Sequence, residues 1–201
     1  MKDQKAQFHK IIPGEKIPDD WCNLPIPSNI TVGENSVIDS CTVFKQYFSK
    51  LRVGLIIGNN VTIQSANLAT EENALIEIGD YSFISNASIV CSNRISIGAY
   101  VYIAGGVNIV DTDFHPLTPA ARMADTIALS PAGNKMYRPQ FLSEPVIIED
   151  EVWIGFNATI LKGVRIGKGA VIQPGSVVVK NVPAGQVVAG NPAKPVKEMY
   201  E

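Results

Sequence analysis

The sequence contains two histidines, and the pattern around one of them favours a chemical role. His115 lies in the segment Asp111-Thr-Asp-Phe-His115-Pro116, whereas His9 lies in a polar N-terminal stretch and reads as incidental. An imidazole exchanges protons near neutral pH, so it can accept the proton of an attacking hydroxyl. Asp111 or Asp113 could orient that ring, as could a backbone carbonyl, while turn capping is the structural alternative for both acids. We therefore predict that His115 is a general base, against the alternative of a surface turn histidine.

The residues that would position His115 follow a six-residue period. Aliphatic or small side chains recur every six positions near the C-terminus: Ile148, Ile154, Ile160, Ile166, Ile172, Val178 and Ala184. A second inward position follows each of them four residues later: Val152, Ala158, Val164, Ala170, Ser176, Val182 and Val188. Neither a helix nor an alternating strand has this period, so we predict repeated short strands separated by turns.

The same phase occurs upstream and locates an insertion. Ile78 and Ile84 carry the period, with Ser82 and Ser88 in the second position, and Ile97 and Ile103 continue it. From Ile148 to Ile166 is 18 residues, or three hexapeptides, whereas Ile97 to Ile148 is 51. About 33 residues are therefore extruded. This proline-rich stretch reads as a loop, and we place it at about 111–145.

This pattern resembles the hexapeptide-repeat acyltransferases, most closely the branch of sugar, maltose and exopolysaccharide O-acetyltransferases. The resemblance implies an all-β fold, a left-handed parallel β-helix of hexapeptide repeats with a long extruded loop and a short N-terminal cap. We place the cap at 1–30, the β-helical acyltransferase domain at 31–190 and a tail at 191–201. The resemblance also implies acetyl-CoA as co-substrate, a homotrimer with active sites between subunits, and a long loop that governs acceptor choice.

In that branch a histidine matching His115 activates the acceptor hydroxyl. A tryptophan matching Trp153 lines the donor channel beside it, so Trp153 is assigned to both acceptor and donor binding; subunit packing is the alternative. Asn86 and Asp113 are the other acceptor-binding candidates. Asn86 could equally be an ordinary turn asparagine.

The resemblance also implies a donor site near the C-terminus. Its candidate residues are Trp153, Gly155, Lys180, Gly190, Lys194 and Lys197, and the lysines would attract the donor phosphates. Solvated surface lysines are the alternative. Two departures weaken the donor contacts, since Phe156 and Pro174 stand where the family usually has small residues, and proline has no N–H to donate.

We therefore expect direct acetyl transfer from acetyl-CoA to a hydroxyl of a sugar or saccharide precursor, of the type used for cell-surface polysaccharides, without a covalent enzyme intermediate. N-acetylation of an amino sugar or nucleotide-linked amino sugar is the first alternative. A non-catalytic structural β-helix is the second. No metal is expected, because zinc-dependent β-helical carbonic anhydrases need three histidine ligands and this chain has two histidines.

Composition limits the partners and the compartment. The net charge is -2 without a block of like charges, which argues against nucleic-acid binding. No apolar run approaches the length of a membrane span, and the N-terminus lacks the apolar core of a signal peptide. We therefore expect a cytoplasmic protein whose three cysteines, Cys22, Cys41 and Cys91, are reduced and buried or half-buried.

Overall fold

The computed structural model describes residues 8–20 and 22–196, and most of its regular structure is short β-strands in three sheets. Sheet one contains β1 (Phe8–Lys10), β3 (Val37–Asp39), β5 (Thr62–Gln64), β8 (Phe83–Ser85), β11 (Tyr102–Ile103), β14 (Trp153–Ile154), β17 (Val171–Ile172), β19 (Val187–Ala189) and β20 (Lys194–Pro195). Sheet two contains β2 (Ile30–Val32), β4 (Leu55–Ile57), β7 (Leu75–Ile78), β10 (Arg94–Ile97), β13 (Val146–Ile148) and β16 (Arg165–Ile166). Sheet three contains β6 (Asn67–Thr70), β9 (Ser88–Cys91), β12 (Asn108–Val110), β15 (Thr159–Ile160) and β18 (Val177–Val178).

The chain winds through sheets two, one and three in turn, so each coil adds one parallel strand to each face of a prism. Ile97 pairs with Ile148 on sheet two, Ile103 with Ile154 on sheet one, and Ile109 with Ile160 on sheet three. Residues one coil apart are therefore neighbours in space. The predicted all-β, left-handed parallel β-helix is confirmed.

The interior of the prism is filled by the predicted aliphatic ladder. Ile154, Ile160, Ile166 and Ile172 are fully buried, and burial of each side chain stabilises the fold by roughly 1.5–3 kcal/mol. The glycine that follows an aliphatic residue lets coils approach closely at the corners. At Gly79 an added Cβ would lie only 2.5 Å from the backbone carbon of Gly98 in the next coil.

Two of the predicted inward positions are wrong, Ala184 because the coils shorten along the chain and Ser88 because its neighbours take its place. Ile57 pairs with Ile78 and Ile78 with Ile97, whereas Ile172 pairs with Val188 only 16 residues later. Because the last coil is shorter than 18 residues, Ala184 lies in an exposed turn and not in the core. Ser88 is only half-buried, since Ala87 and Ile89 fill the interior there.

The long insertion between β12 and β13 is closed at its base by its own backbone. Thr112 and Ser143 form an antiparallel bridge, and the Glu144 N–H donates to the Asp111 carbonyl at 2.8 Å. Beyond this neck the segment contains helix α1 (Pro119–Leu129) and a 3₁₀ turn (Lys135–Tyr137). Its proline-rich sequence reads as a loop, but Pro119 occupies the start of α1, where proline is well tolerated.

The ends of the described chain continue sheet one in the antiparallel direction. Strand β1 pairs with β3 and brings His9 opposite Ile38, while β20 pairs with β19. The described residues of the predicted cap contain turns and bridges but no helix. Among the described residues, no helix combines the length and hydropathy needed to cross a bilayer.

The three cysteines differ in exposure. Cys91 is buried and Cys22 half-buried, but Cys41 is exposed, so the expectation of burial is wrong for that residue. Burial and the nearby Asp111 carboxylate raise the pKa of the Cys91 thiol well above its usual range. Cys91 is therefore an unreactive core side chain.

Candidate active site

His115 lies where the winding breaks, five residues beyond the end of β12 on sheet three. The residue before it, Phe114, has a φ of 61°, a left-handed conformation that is costly for a bulky side chain. Neighbouring groups hold this turn: the Phe114 N–H donates to the Thr112 hydroxyl at 3.1 Å, and Arg138 donates to the Phe114 carbonyl at 2.9 Å. The backbone is thus fixed at the point where the imidazole leaves it.

A buried carboxylate on helix α1 orients the imidazole. Nδ1 of His115 lies 2.6 Å from Oδ2 of Asp125, whose side chain is 1% exposed, whereas that of His115 is 57% exposed. Arg138 binds the other oxygen of Asp125, with Nε 2.7 Å from Oδ1. Arg138, Asp125 and His115 therefore form a continuous chain of charge-assisted hydrogen bonds.

This arrangement selects one form of the imidazole. The Arg138 guanidinium, and then His115 itself, lower the pKa of the Asp125 carboxyl, which is therefore ionised and can only accept hydrogen bonds. The proton between the two groups therefore belongs to Nδ1 of His115. Nε2 is then left with a free lone pair in the neutral ring, as a general base requires.

The sequence pattern does not identify Asp125 and Arg138 as partners of His115. They lie 10 and 23 residues beyond His115; the neck and α1 fold the insertion back on itself, so that Asp125 contacts His115 and Arg138 contacts Asp125. The signal that could have revealed α1 is Thr118-Pro119 followed by the helix-forming run Ala120-Ala-Arg-Met-Ala. The insertion would then contain a helix, and that helix carries one acidic residue, Asp125.

Neither acid suggested as the orienting group performs that role. Asp111 is fully buried and faces the previous coil, where its carboxylate accepts the backbone N–H groups of Ser92, Asn93 and Arg94 at 2.7–2.8 Å. It caps that turn, which was the structural alternative. Its carboxylate therefore anchors the beginning of the insertion to the prism.

Asp113 faces the next coil. Its Oδ1 lies 3.2 Å from Nζ of Lys162, and its backbone carbonyl accepts the N–H of His115 at 2.7 Å. Its Oδ2 is buried and has no partner within the part of the chain described. Asp113 thus adjoins His115 through the backbone, and its role in acceptor binding stays a prediction.

The charge of Asp125 should make stability depend on pH. Because its pKa is lower in the folded protein than in the unfolded chain, its contribution is complete above the ordinary Asp range, about 4, and is lost as pH falls through the lowered value. We expect Asp125→Asn to be less stable than the wild type at pH 7, with the two converging on acidification. Urea unfolding between pH 7 and pH 3 measures this difference, and a constant gap would contradict the assignment.

The other predicted acceptor residues lie on other parts of the prism, Asn86 at a corner and Trp153 on a face. Asn86 occupies the turn from β8 to β9, between sheets one and three, with a φ of 45°. Trp153 lies on β14, paired with Tyr102 and Val171, and its side chain is 42% exposed on the outer face of sheet one. Among the described residues, no hydrogen bond joins either of them to His115.

The predicted donor residues are placed in two regions. Lys194 and Trp153 share sheet one, three strand spacings apart, or about 14 Å. Lys180 is exposed after β18, at the corner leading from sheet three to sheet two. Within the described ranges, no carboxylate lies within 4.0 Å of the Nζ atom of either lysine. Lys197 lies outside the described residues.

Backbone geometry explains the two glycines of the predicted donor site. An added Cβ at Gly155 would lie 2.7 Å from the Pro174 nitrogen, so close coil packing by itself requires glycine. Gly190 has a φ of 98°, and its carbonyl accepts the Val177 N–H as the chain leaves the last coil. These structural demands leave any role in donor binding as a prediction.

Comparison with known proteins supports the repeat and the fold. The family model described as bacterial transferase hexapeptide (six repeats) matches residues 145–180. A Staphylococcus aureus 2,3,4,5-tetrahydropyridine-2,6-dicarboxylate N-acetyltransferase is 59% identical over 59 residues, which are 29% of this chain and 25% of that protein. The match thus spans about a quarter of the length of such curated relatives.

Two solved structures match a larger part of the chain. A hexapeptide-repeat acetyltransferase from Vibrio cholerae O1 biovar eltor, complexed with acetyl coenzyme A, is 29% identical with a TM-score of 0.57, covering 70% of this chain and 69% of that one. The polySia-specific acetyltransferase NeuO is 25% identical with a TM-score of 0.57, covering 84% and 81%.

Proposed function

We propose that this chain, which carries the repeat and the β-helix of the hexapeptide-repeat acyltransferase superfamily, is an acetyl-CoA-dependent O-acetyltransferase acting on a saccharide hydroxyl. The observation that carries the proposal is the 2.6 Å contact between Nδ1 of His115 and the buried carboxylate of Asp125. A half-exposed imidazole held in this way presents Nε2 as a base beside the break in the coil.

The geometry supports a direct transfer in which His115 moves one proton. Nε2 accepts the proton of the acceptor hydroxyl as its oxygen attacks the thioester carbonyl, and the resulting imidazolium is stabilised by Asp125. Collapse of the tetrahedral intermediate breaks the carbon–sulfur bond. The imidazolium then returns its proton to the departing thiolate. The products are the acetyl ester and free coenzyme A, and no enzyme nucleophile is needed.

Donor binding is supported by the acetyl coenzyme A held in the Vibrio cholerae structure and by exposed groups of this chain. Trp153 offers an exposed aromatic surface on sheet one, and Lys194 offers a cation on the same sheet. Lys180 and Lys197, with the turns at Gly155 and Gly190, complete the proposed donor site.

The proposed acceptor is a saccharide of the kind found in cell-surface polysaccharides, which the likeness to a polySia-specific acetyltransferase supports. Asn86 and Asp113 are proposed acceptor contacts. We further propose a cytoplasmic homotrimer with active sites between subunits, since these groups lie on different corners of one prism. Exposed Tyr102 on sheet one, with exposed Tyr81 and Tyr100 in the turns that precede its strands β8 and β11, would be covered by such assembly.

N-acetylation of an amino sugar or a nucleotide-linked amino sugar is the second candidate, and the N-acetyltransferase activity of the Staphylococcus aureus relative favours transfer to nitrogen. The same base would take a proton from the attacking amine. The products distinguish the two reactions, because mild alkaline hydroxylamine cleaves an acetyl ester and leaves an acetamide intact. Mass spectrometry of the product of a hydroxyl sugar and of an amino sugar, before and after this treatment, decides between them.

Donor binding gives a test that needs no acceptor. A ligand that binds only the folded state must raise its stability, by about 2.7 kcal/mol at a hundredfold excess over Kd. We expect acetyl-CoA to raise the Tm by several degrees and Lys194→Ala to reduce that shift, with Lys50→Ala, whose side chain pairs with Glu72, as the matched control. Differential scanning fluorimetry measures both shifts. No shift in the wild-type protein would favour the non-catalytic structural alternative.

A further inference from the structure

One wall of the candidate active site opens into a cavity that the proposed mechanism has not used. It lies between the insertion and the outer face of sheet three, has a volume of about 260 Å³, and includes His115 in its lining. The rest of the lining comes from three regions of the chain: the corner that holds Gln46 and Phe48, strands β6 and β9 of sheet three with Glu71 just beyond β6, and the insertion.

The apolar part of this lining contains a phenyl ring that core packing does not require. Phe48 is 55% exposed. Its backbone is nevertheless fixed, because its N–H donates to both the carbonyl and the hydroxyl oxygen of Thr70 at 3.0 Å. A fixed but exposed aromatic face is suited to a ligand with an apolar surface of its own.

The polar part of the lining carries two unpaired charges of opposite sign, since its third charged residue, Arg138, is paired with Asp125. Glu71 and Lys135 are exposed, and among the described residues neither has an ion-pair partner within 4.0 Å. Gln46 adds a side-chain amide, which both donates and accepts. The cavity therefore offers donors and acceptors together, without the excess of one charge that a phosphate or a carboxylate ligand would favour.

We infer that this cavity is the acceptor subsite, in which one neutral sugar ring packs against Phe48 and hydrogen-bonds to Glu71, Gln46 and Lys135 while one hydroxyl meets His115. A pyranose has an apolar C–H face and a rim of hydroxyls that donate and accept, which matches the two parts of the lining. This inference rests on the proposed function, and it assigns the acceptor to a pocket whose lining includes these residues of the chain.

The test uses two substitutions, each with a matched control. Phe48→Ala removes the aromatic face, and Phe8→Ala removes a similarly exposed ring from β1. Glu71→Gln removes the carboxylate, and Glu72→Gln changes the neighbouring acid that pairs with Lys50 instead. Saturation-transfer NMR with methyl β-D-galactopyranoside and methyl α-D-glucopyranoside measures binding without requiring turnover. Acetyl transfer to the same glycosides gives KM and kcat.

We expect the wild-type protein and both controls to bind at least one glycoside, and Phe48→Ala and Glu71→Gln to weaken its binding about tenfold. The KM for the glycoside should rise by a similar factor, while kcat at saturation and the acetyl-CoA-induced Tm shift stay unchanged. Binding of neither glycoside by the wild type, or equal binding by all five proteins, would overturn the subsite.

The outcomes separate this inference from the proposed function. Acetyl transfer that persists unchanged in Phe48→Ala and Glu71→Gln would overturn the subsite and leave the transferase intact. Glycoside binding that depends on Phe48 and Glu71, in a protein whose stability acetyl-CoA does not change, would support the subsite and refute the transferase.

Discussion

Replacing His115 by alanine should lower kcat for acetyl transfer by about 10²- to 10⁴-fold, the usual contribution of a general base. The acceptor hydroxyl would then have to lose its proton to water as it attacks. The side chain is 57% exposed, so its removal should leave the fold and the acetyl-CoA-induced Tm shift nearly unchanged. Steady-state release of coenzyme A, followed with a thiol reagent, measures the loss.

Two further variants show whether the lost activity belongs to the base itself. His9→Ala removes the other histidine of the chain, on β1, and should keep full activity. Asp125→Asn keeps the shape of the orienting side chain but no longer fixes the proton on Nδ1, so its activity should fall between wild type and His115→Ala. Near-normal turnover in His115→Ala would remove the basis for the proposed mechanism.

Replacing Asp111 by alanine should cause the largest loss of stability among the acidic residues of the insertion, about 3 kcal/mol. Its buried carboxylate accepts three consecutive backbone N–H groups at 2.7–2.8 Å, and alanine would leave all three without that partner. Urea unfolding followed by circular dichroism gives the free energy of unfolding and its denaturant dependence.

The matched control is Asp150→Ala, since that carboxylate lies on an exposed corner and accepts one backbone N–H, from Ala99 at 2.9 Å. Its loss should cost about 1 kcal/mol. Equal destabilisation by the two substitutions would mean that the cap formed by Asp111 adds nothing beyond an ordinary corner contact.

The coil itself was predictable because its period is local and repeated. Each hexapeptide buries an aliphatic side chain at its first position, so the spacing of Ile148, Ile154 and Ile160 indicates which residues face the interior. The position of the insertion follows from the same arithmetic. The prediction failed at Ala184, because the last coil is two residues shorter than 18. Its strands still pair, but its inward-facing residues no longer follow the six-residue spacing.

The candidate site was predictable only in part, for a related reason. His115 stands out as a polar residue outside any repeat position, whereas Asp125 and Arg138 reach it through contacts across an irregular segment. No period links positions 115, 125 and 138. The two acids nearest in sequence, Asp111 and Asp113, face neighbouring coils, and residue type by itself does not reveal which way an acid faces.

The bridge between Thr112 and Ser143 makes the insertion a self-contained unit, since both of its ends meet at one corner and the coils on either side of it pair with each other in parallel. Recombination at these two positions could exchange whole insertions among proteins wound in the same way. Because we predict that the insertion governs acceptor choice, such an exchange would change the acceptor preference of a lineage in a single genetic event while its interior ladder is inherited unchanged.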